Sequence, residues 1–109
     1  MARNPSMYTG LCQGAATRRN RYLRAAHTVR AILRSPMSAE RARSQAQWDL
    51  RLEGAFLMSD AALIELVQRL YRDRLAWLLK QIRYWHADWK RWTFANREWR
   101  KEMKDIDLA

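Results

Sequence analysis

Past Gly54 the chain carries neither glycine nor proline through to Ala109. Nothing in that stretch forces the backbone to turn, so one helix from about Asp60 to Lys104 is the simplest reading. At 1.5 Å per residue it runs about 67 Å. Compact domains of this size have radii of gyration near 13 Å, roughly, so such a helix outruns any globule the chain can build. Two outcomes are open. The helix bends back near Thr93 to Asn96, or it lies along a partner, and the second is the expectation. The fold class follows: all-α, an extended arrangement of about three helices with one long C-terminal amphipathic helix and little independent core.

Within that helix Tyr71, Leu75, Leu78, Ile82, Trp85, Trp89, Trp92, Asn96, Trp99, Met103 and Ile106 recur at alternating spacings of four and three. This is a seam along one face. Four of its tryptophans fall in WHADWKRWTFANREW, residues 85 to 99. Aromatic residues at helical spacing are first of all a packing stripe. Tight two-stranded layers favour Leu, Ile and Val over indoles, so wider packing against partner helices, or a place at a membrane interface, suits them better. The face from Tyr71 to Met103 is therefore read as partner-binding. Asn96, its one polar member, is expected to fix register.

The charge is uneven. Lys and Arg number 21 against 11 acids, a net +10 with a pI near 10.8. Residues 1–34 hold seven arginines, Arg3, Arg18, Arg19, Arg21, Arg24, Arg30 and Arg34, and no acid. Ten of the eleven acids lie at or after Asp49. Such a balance points to nucleic acid, anionic lipid or acidic protein faces. The Arg-rich, acid-free opening, with its Ser and Thr, has the composition of a mitochondrial targeting segment. Its apolar residues Tyr22, Ala25, Ala26, Val29, Ile32 and Leu33 gather on one side of a helix from about Thr17 to Arg34, ended by Ser35-Pro36. We read residues 1–36 as a retained basic arm that docks through Arg18, Arg19, Arg21, Arg24, Arg30 and Arg34.

Residues 37–58 read as a short helix and a connection, with Ser38 as its cap, a span of about Ala39 to Glu53, and Gly54 as its stop. Ala42, Trp48 and Leu52 are its expected anchors. Residues 59–109 form the long helix, with Ser59 capping, Asp60 in the first turn, and Met58 and Leu63 placed as a hydrophobic staple. No catalytic constellation emerges. Cys12 is the only cysteine, so neither an internal disulfide nor a multi-cysteine zinc site can form. His86 and Asp88, two apart on a helix, point about 200° away from each other and do not make a metal pair. His27 falls on the arginine side of its helix. No cofactor is expected. The longest strongly apolar run, Leu75 to Leu79, ends at Lys80 and is far short of a membrane span.

Leu70, Tyr71 and Arg72, followed by Arg74 and later Phe94, resemble the LYR motif of a family of small basic mitochondrial helical proteins. That resemblance implies a three-helix fold, a role in iron–sulfur or respiratory-complex assembly, and an acyl carrier protein partner. It covers three contiguous residues and Phe94, and the triplet stands past mid-chain, whereas the family carries it near the N-terminus on the first helix. The functional expectation is a non-catalytic accessory subunit of a large mitochondrial inner-membrane respiratory-chain or ATP-synthase complex, in the matrix or peripheral to the membrane. Its expected partners are other protein subunits and anionic lipid. The alternatives are a mitochondrial ribosomal protein whose arm binds rRNA, an LYR-type assembly factor, and a small bacterial or phage nucleic-acid-binding protein.

Overall fold

The structure, a computed structural model, describes the backbone of residues 7–108 and the side chains of residues 7–106. Arg3, counted in the basic arm, lies outside the described residues. The fold is all-α: α1 spans Met7–Arg34, α2 Ala39–Trp48 and α3 Asp60–Leu108, with one 3-10 turn at Ala55–Leu57. There is no strand among the described residues. The long C-terminal helix is unbroken and runs four residues beyond the expected end.

Local rules account for most boundaries. Ser38 caps α2 by accepting from the Arg41 amide at 3.1 Å, and Ser59 caps α3 by accepting from the Ala62 amide at 3.3 Å. Helix α1 stops at Arg34 ahead of Pro36, where Ser35 Oγ donates to the Ala31 carbonyl. Its start is a correction: the helix begins at Met7 rather than Thr17. Gly10 and Gly14 are carried inside it, because Tyr8 and Cys12 anchor this first stretch on α3. Packing outweighs the intrinsic cost of about 1 kcal/mol for each helical glycine.

Helix α2 is the second correction. It ends at Trp48, five residues before Glu53. The amides of Asp49 and Leu50 both turn back to the Gln45 carbonyl, and that of Leu52 to the Ala46 carbonyl. Arg51 adopts φ 50, a left-handed conformation that ends the helical path. Gly54, at φ 72, forms the corner before the 3-10 turn instead of stopping α2. Of the expected anchors, Ala42 is fully buried but Trp48 is 71% exposed. Ala46, one turn after Ala42, takes the place assigned to Trp48.

The chain divides into two compact units, Ala25–Leu78 and the described parts of Met1–Arg24 with Leu79–Ala109. The unit Ala25–Leu78 holds most of the core. Leu63, Val67 and Tyr71, spaced by four along α3, are fully buried together with Ala42 and Ala46 of α2, and Ala26 and Val29 of α1 are buried as well. Small residues four apart on α2 let helices approach closely, while the larger side chains of α3 fill the space. Tyr71 ends in a polar cluster: its hydroxyl lies 2.6 Å from Gln45 Oε1 and 2.5 Å from Asp49 Oδ2. Arg74 donates to the same Asp49 oxygen at 3.0 Å.

Burial pushes the Tyr71 phenol well above its ordinary value of 10.0, and the adjacent Asp49 carboxylate adds to the rise. The folded state therefore keeps the phenol proton when the unfolded chain has released it. The stability that this contributes is complete below pH 10 and is lost as pH climbs past it. Thermal unfolding followed from neutral to strongly alkaline pH should show this loss in the native chain and a smaller one in Tyr71→Phe, which at neutral pH should cost about 1 kcal/mol.

Candidate functional site

The unit made from the described parts of Met1–Arg24 and Leu79–Ala109 is built on aromatic contacts between antiparallel stretches of α1 and α3. Tyr8 stacks on Trp92 with ring centroids 6.0 Å apart. Cys12 Sγ lies 3.6 Å from Thr93 Oγ1. Further along, the Arg18 guanidinium sits 4.6 Å above the Trp85 ring and that of Arg19 5.1 Å from the Trp89 ring. Arg19 Nη1 also donates to His86 Nδ1 at 3.1 Å, which makes that ring nitrogen the acceptor. His86 in turn stacks on Trp89 at 5.5 Å.

The seam read from sequence as a partner face thus has an occupant inside the chain. Tyr71 and Leu78 are buried in the unit Ala25–Leu78, where Leu75 is half-buried. Ile82, Trp85, Trp89, Trp92, Asn96, Trp99 and Met103 are half-buried in the other unit, and Ile106 is exposed. Asn96 gains no register-fixing bond: its Oδ1 is buried without a hydrogen-bond partner among the described residues, as is Trp85 Nε1. Among the arm arginines, Arg18 and Arg19 lie on indoles, Arg30 is half-buried, and Arg21, Arg24 and Arg34 are exposed. In the Leu70-Tyr71-Arg72 triplet the tyrosine is core, Leu70 half-buried and Arg72 exposed.

Turning the seam inward decides what α3 shows to solvent. Trp85 and Phe94 are nine residues apart, about two and a half turns, so they stand on opposite sides of the helix. Around Phe94 the outward face carries Lys80, Arg83, Tyr84, Ala87, Lys90, Arg91 and Arg97, all exposed. Tyr84 and Phe94 are 60% and 63% exposed. The single acid between Lys80 and Arg97 is Asp88, and its side chain is only 12% exposed. It accepts from Trp92 Nε1 at 3.1 Å and from Arg91. The outward face over this stretch is free of negative charge.

Beyond it, Thr93, Asn96, Arg97, Arg100, Lys101 and Lys104 line an open cavity of about 370 Å³. Lys101 pairs there with Glu98 at 3.3 Å. By sequence, Met1–Arg24 with Leu79–Ala109 holds thirteen basic residues against five acids, a net +8, whereas Ala25–Leu78 holds eight against six, a net +2. The mixed charge visible in the C-terminal sequence is sorted by the helix into a basic stripe with interleaved aromatics. That sorting depends on which face α1 covers, and residue spacing alone does not reveal it.

No group of three metal-ligating side chains occurs among the described residues. None of the described helices is long and apolar enough to cross a membrane. Compared with protein-family models, with curated proteins and with solved structures, the chain matches none.

Replacing Trp85 or Trp89 with Ala removes both packing area and a guanidinium platform, and should cost about 3 kcal/mol in unfolding free energy. Trp77→Ala, at a half-exposed position off the seam, should cost less than 1.5 kcal/mol, roughly. Urea titration followed by helical circular dichroism compares them, and equal losses at all three would remove the seam from its structural role. Asn96→Leu, which eliminates a buried unpaired oxygen, should leave the chain as stable or stabilise it by about 1 kcal/mol.

Proposed function

We propose that the protein is a non-catalytic binder of nucleic acid within a larger assembly, docking through the outward face of α3. The observation that carries this reading is the outward stripe from Lys80 to Arg97, free of exposed acid, with two exposed aromatic rings and five cations, of which, among the described residues, only Arg91 is paired, with the inward-turned Asp88. Cations spaced along one face neutralise successive phosphates, and aromatic rings between them meet bases or sugars. Anionic membrane is less well supported. An interfacial helix needs a broad apolar face, and the outward side of this stretch contains little more than Ala87 and Phe94.

A second reading, the accessory subunit of a mitochondrial inner-membrane complex, draws on a different surface. Trp48, Phe56 and Leu57, in the unit Ala25–Leu78, are more than two-thirds exposed, and large apolar side chains so exposed suit a protein or lipid contact.

Titrating the full chain against labelled single- and double-stranded oligonucleotides, and against vesicles containing phosphatidylserine, separates the two. Phosphate contacts from the four cations not paired with an acid among the described residues, Lys80, Arg83, Lys90 and Arg97, would lower nucleic-acid affinity roughly 10²-fold between 50 and 200 mM salt. Lys90→Gln with Arg97→Gln should make that dependence shallower by about two in log–log slope. Affinity insensitive to salt, or vesicle binding tighter than nucleic-acid binding, would set the reading aside.

A further inference from the structure

The outward face of α3 is more specific in shape than charge alone requires. We infer that it is built to enter the major groove of double-stranded DNA, a conclusion that rests on the nucleic-acid reading above and names its partner. Ala87 and Phe94 are seven residues apart and form a central ridge. At about 100° per residue, Lys90 and Arg97 lie some 40–60° to one side of Phe94, and Lys80 lies as far to the other, beside Arg91, whose guanidinium is held by Asp88 and the Trp92 ring. Arg83 sits close to the ridge. All seven side chains are exposed.

A helix entering a groove needs this arrangement. Cations on both flanks reach the phosphates of the two strands, and the small side chain of Ala87 lets the backbone approach the base edges there. B-DNA's major groove, about 12 Å wide, admits one α-helix of 10–12 Å diameter, and Ala and Phe are side chains that contact the thymine methyl group there. From Lys80 to Arg97 the helix covers about 26 Å, the length of seven to eight base pairs at roughly 3.4 Å each. The opposite side of α3 is occupied by α1 through the tryptophan contacts, so the supporting helix stands behind the reading face and out of its way.

Other nucleic acids fit less well. The major groove of A-form RNA is too narrow for side chains to read. A single strand is held by rings that stack successive bases. Tyr84 and Phe94 are ten residues apart, about 15 Å along the axis, and point in directions about 80° apart. They do not form one stacking platform.

The test uses the full chain and fluorescence anisotropy with a labelled DNA duplex, its single strand, and an RNA duplex of the same sequence. The DNA duplex should bind at least tenfold tighter than either of the others. Ala87→Phe raises the centre of the ridge without changing charge and should weaken duplex binding at least tenfold while leaving single-strand binding within twofold. Ala76→Phe, at an exposed position in the other unit, should change neither. Circular dichroism confirms that both variants keep their helix. RNA duplex or single strand bound as tightly as the DNA duplex, or equal losses on all ligands for Ala87→Phe, overturns groove entry and leaves the nucleic-acid reading standing. No binding to any of the three oligonucleotides overturns both.

Discussion

The contact between the tryptophans of α3 and the guanidinium-bearing face of α1 governs the unit in which the charge is concentrated. Residues 7–24 contain no acid, so the arginines there have no carboxylate of their own helix to meet. An indole face offers a cation an electron-rich surface. Such a contact gives about 0.5–1 kcal/mol when exposed and more when desolvated. The larger contribution is area: a fully buried tryptophan hides roughly 150–250 Å², worth about 4–6 kcal/mol at 25 cal/mol/Å², and about half of that for a half-buried ring. Hydrophobic burial therefore holds the helices together, and the cation contacts choose their alignment. Without this seam Ala15 is the only fully buried apolar residue described on α1 before Arg24.

Periodicity made α3 and its seam legible in advance, because a four–three repeat has one geometric solution. The caps at Ser38 and Ser59 were equally legible, being local. Two features escaped. The end of α2 is set by a left-handed Arg51 and by Asp49 and Gln45 facing Tyr71, 26 residues from Gln45 in the chain, and such distant partners leave no local signature. The start of α1 is equally illegible locally, because glycine penalties of about 1 kcal/mol are small beside the packing of Tyr8 and Cys12. The outward stripe was hidden for a related reason. Its residues were all visible, but their grouping appears only after the opposite face is known to be covered.

Asp88 illustrates how the fold produces that grouping. In sequence it stands among basic residues and dilutes their charge. In the structure it is turned toward the seam, where it accepts from the Trp92 indole and pairs with Arg91. One carboxylate thus satisfies a tryptophan N–H that would otherwise share the fate of Trp85 Nε1, and withdraws its negative charge from the face occupied by Lys90, Phe94 and Arg97. The same interaction stabilises packing and clears the surface.

The division of charge then links stability to binding. A net +8 on Met1–Arg24 with Leu79–Ala109 repels itself, and self-repulsion opposes compactness. Any polyanion that binds the folded unit better than the unfolded chain stabilises it by mass action. Added salt acts in two opposing ways: it screens the repulsion and strengthens the unliganded unit, yet it competes with phosphates and weakens the complex. A nearly neutral unit with an apolar core, such as Ala25–Leu78, has little repulsion to relieve and responds weakly to either effect. The contrast follows from where the acids lie, so moving a single carboxylate onto the outward face of α3, as in Lys90→Glu, should stabilise the free protein and weaken its complex. A purely structural role for the stripe would produce the first effect without the second.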